Sequence, residues 1–298
     1  MDRRLIQVET DQVGDRAAAA ETESRALSRR LYSLAAVVAL VLFSAAVGCR
    51  GPATRSPDSQ YADAERERQQ GSLDRAQREA VAGFEAFRNT TPEWHWRFRL
   101  LAASVYLARN SPQDSLSYLT PSAGDPPVPT ALEARRQMHL FDAYHRMQQP
   151  AEARRHLDEA ARSGVPELAS RIALRRGYVG ATYEESDAAF RGALDQAVQG
   201  NDVFTQITAL NDLGYLRLTH ERFDEALRLF ERALGAAQGQ GPLRIRGIIL
   251  GNLGWCYYRL GQSDRALELL TEADRVAERS ADWGSRYRWL NNIGNIYA

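Results

Sequence analysis

Few side chains in this sequence have the type and spacing that chemistry requires. None of the 38 basic residues is a lysine, which excludes a phosphate-binding Walker loop, a Schiff-base enzyme and a Ser–Lys dyad. The five histidines do not combine with other ligand side chains at a metal-binding spacing. They are His95, His139, His145, His156 and His220. The sequence therefore predicts no catalytic residue, no cofactor and no metal site.

Cys49 is a residue whose surroundings do indicate a reaction. It follows an uncharged, apolar segment, residues 31–48, which comes directly after two arginines. Small residues immediately precede the cysteine. This arrangement resembles the bacterial lipoprotein signal, in which the cysteine thiol is acylated and becomes the new N-terminus after cleavage. The resemblance predicts Cys49 as a lipidation site, and the alternative is an uncleaved membrane-anchor helix.

The N-terminal region divides into three predicted parts. Residues 1–30 form a leader that we expect to be disordered, and residues 31–49 form the signal or anchor. Residues 50–59 are rich in Gly, Pro, Ser and Thr and lack apolar periodicity, so we expect a flexible tether. Both interpretations of the apolar segment place the rest of the chain at the bacterial cell envelope, membrane-anchored and facing the periplasm or the exterior.

The remainder of the chain is repetitive. Asp212-Leu213-Gly214 recurs forty residues later as Asn-Leu-Gly and again as Asn-Ile-Gly, ending at Gly294. Self-similarity at this period is the signature of a solenoid. Each unit carries two apolar stripes of helical period separated by a short polar link, which predicts an antiparallel pair of helices. Neither stripe can be buried within one hairpin, so the hairpins must stack.

Weaker copies of the unit extend the array towards the N-terminus. They are aligned on one small residue near the start of the second helix of each unit. These residues are Ala76, Ser115, Ala153, Ser186, Ala226 and Ala266. We therefore expect divergent hairpins over residues 60–200 and well-matched units over residues 201–298, the last of them incomplete. Cys256 falls within a first helix and is predicted to be a packed, small apolar residue.

This pattern resembles the tetratricopeptide repeat family. The motif Leu-Gly, then Tyr, then Ala, a bulky apolar residue and Ala is carried in one unit by Leu253, Gly254, Tyr257, Ala266, Leu270 and Ala273. The preceding unit has Arg217 at the tyrosine position. The resemblance implies an all-α fold: a right-handed α-solenoid of about six full hairpins plus the first helix of a seventh. Because the sequence stops within that helix, we expect either a longer protein or a second chain covering this edge.

In this family the first helix of each hairpin lines a concave groove. The groove positions lie three residues before, one after and four after the glycine. Applied to this sequence, the resemblance predicts a set of groove residues. They are Asn211, Tyr215, Trp255, Tyr258, Asn291 and Asn295. Asn can bind a peptide backbone through both a donor and an acceptor. The alternative for Trp255 and Tyr258 is packing against the adjacent helix.

The expected function is a membrane-tethered, exported scaffold that binds a protein or peptide in this groove, without catalysis of its own. The alternative is the recognition arm of a larger enzyme or signalling protein, for example one with a caspase-like protease domain of the CHAT type beyond residue 298. The 38 acidic and 38 basic residues give a net charge of zero, so we expect no nucleic-acid partner.

Overall fold

A computed structural model describes residues 55–239, 242–280 and 282–298. The predicted leader, the apolar segment and Cys49 lie outside these residues, as does the first half of the predicted tether, residues 50–54. The chain divides into two units, Met1–Arg55 and Ser56–Ala298, and apart from Arg55 all the described residues belong to the second. Within the described ranges the chain is built from α-helices, without strands.

Thirteen α-helices are present in the described residues. In chain order they are α1 (Pro57–Gln69), α2 (Leu73–Phe87), α3 (Pro92–Ala108), α4 (Pro112–Leu119), α5 (Thr130–Arg146), α6 (Pro150–Arg162), α7 (Ala169–Tyr178), α8 (Tyr183–Gln199), α9 (Val203–Thr219), α10 (Phe223–Ala237), α11 (Leu243–Arg259), α12 (Ser263–Arg279) and α13 (Trp283–Tyr297). A single 3-10 turn, Pro166–Leu168, precedes α7. None of the described helices is long and apolar enough to cross a bilayer.

The helices pair into six antiparallel hairpins, α1/α2 to α11/α12, and α13 occupies the place of the first helix of a seventh. The predicted all-α solenoid of stacked hairpins is therefore confirmed. Helix α1 begins earlier than expected, because the Ser56 hydroxyl accepts a hydrogen bond from the Ser59 amide at 3.3 Å and Pro57 takes the first helical position. The predicted tether is thus three residues too long at its C-terminal end.

Most of the links that join the two helices of a hairpin share one backbone conformation. In five of them, the residue two positions before the second helix has a positive φ. These residues are Gly71, Asn110, Gln148, Glu221 and Gly261. A left-handed residue at this place ends the first helix and reverses the chain within three residues. The α7/α8 link uses four residues instead, and Thr182 caps α8 by accepting a hydrogen bond from the Glu185 amide.

Close helix crossing depends on glycine. A Cβ placed on Gly214 would lie 2.7 Å from the Phe230 ring, and one on Gly254 would lie 2.7 Å from Leu270 Cγ. The partner helices contribute buried alanines at the predicted positions, including Ala226 and Ala266. In the fourth hairpin the same role belongs to Gly177, where a Cβ would lie 2.2 Å from the Phe190 ring.

The array curves so that the first helices lie on the inner side. Helix α9 contacts the first helices on either side of it, α7 and α11, in addition to its partner α10. The curve brings the first hairpin against the sixth: a Cβ on Gly71, in the α1/α2 link, would lie 3.3 Å from the Cα and Cβ of Ser280, which follows α12. Ser280 is 1% exposed as a result.

Candidate ligand-binding groove

The inner face is the side of the first helices that carries the residue immediately after each crossing glycine. Immediately after that glycine, α7, α9 and α11 present Tyr178, Tyr215 and Trp255 respectively. Tyr178 is 37% exposed and Tyr215 is 51% exposed, whereas Trp255 is half-buried. Three aromatic side chains therefore stand at equivalent positions of three successive hairpins.

The predicted residues at the C-terminal end of the groove are arranged around α13. The rings of Trp255 and Tyr258 are 5.1 Å apart, and the Tyr258 hydroxyl donates to the Asn295 carbonyl at 3.2 Å. Tyr258 therefore contacts the adjacent first helix. The side chains of Asn291 and Asn295 are exposed.

Asn211 is less accessible than the resemblance implied. Its side chain is 6% exposed. The amide nitrogen donates to Asp212 Oδ1 at 3.1 Å, and the amide oxygen accepts from Asn252 Nδ2 at 3.0 Å. A peptide backbone could bind Asn211 only by displacing one of these partners. The residue links α9 to α11 across the inner face.

Three residues that were not predicted for the groove, Tyr178, Asp212 and Asn252, belong to the same chain of hydrogen bonds as Asn211. The Tyr178 hydroxyl donates to Asp212 Oδ2 at 2.5 Å, so the bonds run from α7 through Asp212 and Asn211 to Asn252 on α11. The signal that could have found Tyr178 is Gly177, which is the crossing glycine of the fourth hairpin. Aligning that hairpin on Gly177 places Tyr178 directly in the row of Tyr215 and Trp255.

Burial shifts the pKa values of several titratable groups on this side of the array. Burial of the Asp212 carboxyl raises its pKa to about 6, against the lowering effect of the hydrogen bonds from Tyr178 and Asn211. Burial, together with the charge of Asp212, raises the pKa of Tyr178 well above its ordinary value. Burial lowers the pKa of His139 to about 4, so this imidazole is neutral at pH 7.

Arginines pair with most of the other acidic groups along this side. Arg175 of α7 binds Asp142 of α5 through two hydrogen bonds of 2.9 and 2.6 Å. Arg171 and Asp202 lie 3.2 Å apart, and Arg244 lies 2.7 Å from Asp282. The Arg171 and Arg244 pairs each join a first helix to the N-cap of the next first helix, and Arg175 joins α7 to the C-terminal half of α5, so all three fix the spacing of neighbouring first helices.

Arg217, which replaces the family's tyrosine, serves the packing between hairpins. It is 3% exposed, its Nη2 pairs with Asp187 of α8, and its Nε lies 3.3 Å from Glu225 of α10. The guanidinium also lies over the Tyr183 ring, 5.2 Å from its centroid. These contacts point away from the inner face, and they join three helices around one buried cation.

The residues with reactive side chains are held in packing roles. Cys256 is fully buried, and burial raises its thiol pKa to about 12, so the thiolate needed for reaction is scarce. His156 bonds to the Gln137 oxygen at 2.6 Å, and His95 to the Arg88 carbonyl at 2.9 Å. Over the described residues, no group of three or more His, Cys, Asp or Glu could hold a metal ion.

Comparison with known proteins gives one match by sequence and several by structure. Residues 221–279 match the sequence profile of the tetratricopeptide repeat family. No curated protein sequence matches the chain.

Among solved structures, a Rap protein complexed with competence and sporulation factor has 14% identity and a TM-score of 0.56, covering 80% of this chain and 74% of that one. The apo form of RapI has 13% identity and a TM-score of 0.51, covering 81% and 71%. A signal-transduction ATPase with a tetratricopeptide repeat sensor, from Pyrococcus horikoshii, has 16% identity and a TM-score of 0.51. The similarity covers 76% of this chain and 40% of that protein.

These likenesses establish the fold. The hairpins, the crossing glycines and the profile match agree on one architecture, which in general presents a surface for protein–protein interaction. The chain is a solenoid of the tetratricopeptide repeat type, and residues 221–279 carry the family's repeat.

Proposed function

We propose that the inner face binds a protein or peptide partner and that the chain acts as an exported, membrane-tethered scaffold without catalysis of its own. The observation that carries the proposal is the row formed by Tyr178, Tyr215 and Trp255. Aromatic side chains provide large contact areas at low cost in conformational entropy, and they are enriched among residues that dominate binding energy. Their recurrence on successive hairpins suits an extended partner that meets the same kind of contact at each hairpin.

A hydrogen-bonding surface beside the aromatic row supports a peptide in particular. Asp212 of α9 is half-buried and has further acceptor capacity on its carboxylate, and the bonded pair of Asn211 and Asn252 holds α9 and α11 together beside it. A bound peptide needs partners for its backbone amides and carbonyls, because leaving them unpaired in a groove costs free energy. The Rap protein of similar fold was solved with competence and sporulation factor, which is consistent with ligand binding by an array of this kind.

Peptide selection tests the proposal directly. We would select a random heptapeptide phage library against the immobilised full chain and measure the affinity of a synthetic enriched peptide by fluorescence anisotropy. Tyr215→Ala and Trp255→Ala should each weaken binding about tenfold or more, which is usual for a central aromatic contact. Val198→Ala, which removes a 55% exposed side chain on the second helix α8, is the matched control and should leave the affinity unchanged. Failure to enrich any peptide would contradict the proposal.

The proposed tether rests on the sequence of residues 31–49. If Cys49 is acylated, growth with a radiolabelled fatty acid should label the protein, and Cys49→Ser should abolish the label and release the chain from the membrane fraction. Retention of unlabelled Cys49→Ser protein in that fraction would favour the anchor helix. If the Cys49→Ser protein is still labelled and still associated with the membrane, Cys49 is not the site of acylation.

The second candidate is a recognition or sensor arm within a larger protein, such as a CHAT-type protease. The similarity to the signal-transduction ATPase favours it, because the sensor named in that protein is a tetratricopeptide repeat array and this chain covers only 40% of its length. Sequencing the gene beyond the codon for Ala298 distinguishes the two candidates. A frame that continues into an α/β segment with a His/Cys pair supports the protease, whereas a stop after one polar helix supports the scaffold.

A further inference from the structure

Asp212 differs from the other acidic groups on this side of the array. Asp142, Asp202 and Asp282 each form an ion pair with an arginine. Among the described residues, no cationic group lies within ion-pairing distance of the Asp212 carboxylate. Its oxygens receive hydrogen bonds only from two neutral donors, the Tyr178 hydroxyl and the Asn211 amide.

The position of Asp212 makes the missing cation significant. The residue lies on α9, the central first helix of the hydrogen-bonded chain, two residues before the crossing Gly214. Its side chain is half-buried and therefore partly open to the groove. Burying a carboxylate without a counter-charge costs free energy. A cation that binds it forms a charge-assisted hydrogen bond and removes part of that cost.

The surroundings of the carboxylate suit the stem of a cationic side chain. Tyr178 and Tyr215, both more than one-third exposed, lie before and after Asp212 along the inner face. Aromatic rings attract an ammonium or guanidinium group through their faces and also pack against its methylene chain. Arg175, which lies three residues before Tyr178 on α7, is engaged by both oxygens of Asp142.

We propose that Asp212 is the anchoring site for a lysine or arginine side chain of the peptide bound in this groove, with Tyr178 and Tyr215 flanking that side chain. This inference rests on the proposed function and adds the chemical class of the peptide side chain that the groove selects. The raised pKa of Asp212 agrees with it, since burial without a counter-charge is the largest cause of the shift. A bound cation should return that pKa towards its ordinary range.

The test compares peptide selection on three versions of the full chain. The heptapeptide library is selected on the natural chain, on Asp212→Asn and on Asp195→Asn. Asp212→Asn removes the charge while keeping a carbonyl oxygen to accept from Tyr178. Asp195 is an exposed carboxylate on the second helix α8 and serves as the control. We expect a basic residue at one aligned position in peptides enriched on the natural chain and on Asp195→Asn, and no such preference on Asp212→Asn.

Binding of a synthetic enriched peptide then distinguishes loss of the charge contact from loss of the folded groove. Asp212→Asn should weaken its binding about tenfold or more, as should replacement of its basic residue by norleucine. The norleucine peptide should bind the natural chain and Asp212→Asn equally, because the two changes remove the same contact. This equality also shows that the variant keeps an intact groove.

Three results would overturn the inference, and the first two leave the proposed function standing. Enriched peptides without an aligned basic residue would leave peptide binding in place and remove the cation site. A basic preference that persists on Asp212→Asn would assign the contact to another group. Enrichment of no peptide on any version would remove both proposals together.

Discussion

At the scale of single residues, Asp212 should give the protein an unusual dependence of stability on pH. Its pKa is about 6 in the folded chain and about 4 in an unfolded one. Between these values the folded state binds more protons, so the contribution of Asp212 to stability falls as pH rises. Asp212→Asn removes this effect. The variant should match the natural chain near pH 4 and be more stable at pH 8 by about 1–3 kcal/mol.

Thermal unfolding followed by circular dichroism at several pH values measures this difference. Asp142→Asn is the control, because Asp142 forms an ion pair with Arg175. Removing the Asp142 charge leaves that arginine without its ion-pair partner. It should lower stability at pH 8 instead of raising it. A difference between the natural chain and Asp212→Asn that does not change with pH would mean that the Asp212 carboxyl titrates in its ordinary range.

The glycines provide a second residue-scale prediction, in which the same substitution has opposite effects at two positions. A Cβ on Gly254 would lie 2.7 Å from Leu270 Cγ and 3.2 Å from the Ala266 carbonyl, whereas a Cβ on Gly235 of α10 would meet nothing within 4 Å. Gly254→Ala should therefore destabilise the chain by about 1–3 kcal/mol through overpacking. Gly235→Ala should stabilise it by about 0.5–1 kcal/mol, since alanine is the better helix former. Equal shifts in melting temperature would contradict the crossing role of Gly254.

The site could be predicted in part from residue positions alone. Counting from Gly214 and Gly254 finds Tyr215 and Trp255 on the inner face, because the resemblance transfers a fixed geometry. The same count placed Asn211 in the groove, where the structure has it bonded to Asn252 and buried. Asp212 could not be recognised from the sequence, because its significance lies in a hydrogen bond from another helix and in the absence of a nearby cation.

At the scale of elements, Arg217 shows how one side chain fixes three helices. It is buried in α9 with Asp187 of α8 and Glu225 of α10 around it. Arg217→Ala should destabilise the chain by about 1–3 kcal/mol, because Asp187 loses its buried partner and keeps only the exposed Arg191. The double variant Arg217→Ala/Asp187→Ala should lose less than the two single variants combined.

Denaturant unfolding of the single and double variants checks this coupling. Arg265→Ala is the control, since its pair with Glu268 is at least half exposed on both sides and such pairs contribute little. We expect a change of less than about 0.5 kcal/mol there. Strict additivity of the Arg217 and Asp187 substitutions would show that the two side chains do not interact.

Helix boundaries were predictable wherever a cap or a breaker marks them, and less so elsewhere. Period and small residues located all six hairpins, because every hairpin must bury the same two stripes. Gly177 of the fourth hairpin lies outside the repeat spacing, because α7 ends one residue after it, whereas α9 ends five residues after Gly214. The start of α1 is hard to predict because Ser56 and Pro57 lie in a Pro-rich and Ser-rich segment, where a helix cap resembles a continuing linker.

At the scale of the whole molecule, the curvature of the array is the feature that the sequence could not provide. The approach of Gly71 to Ser280 depends on the small rotation between each pair of neighbouring hairpins, summed from the first hairpin to the sixth. No local pattern encodes such a sum. Yet it decides which residues approach one another: burial and, in part, the positive charge of Arg244 on α11 lower the pKa of Arg146 on α5, although the two helices are three hairpins apart.

A disulfide between the first and sixth hairpins would test this curvature. An ideal Cβ at Gly71 lies 3.3 Å from Ser280 Cβ, close to the separation of about 3.5–4.5 Å that a disulfide requires. In a Cys49→Ser background, Gly71→Cys/Ser280→Cys should therefore form an intramolecular bond under mild oxidation, seen as faster migration on a non-reducing gel. Cysteine at Gly71 costs about 1–2 kcal/mol because φ is +82° there, which the closure of so long a loop offsets.

The control pair joins Ser280→Cys to Gly124→Cys. Gly124 also has a positive φ, +90°, but a Cβ there would meet nothing within 4 Å, so the backbone strain is matched while the proximity is not. Cys256 is fully buried and should not compete for oxidation in either protein. If the array is closed, only the first pair crosslinks within one chain, and heating before oxidation slows that reaction by separating the two hairpins. Equal rates for the two pairs would mean that the first and sixth hairpins stand apart in solution and that the inner face is an open surface.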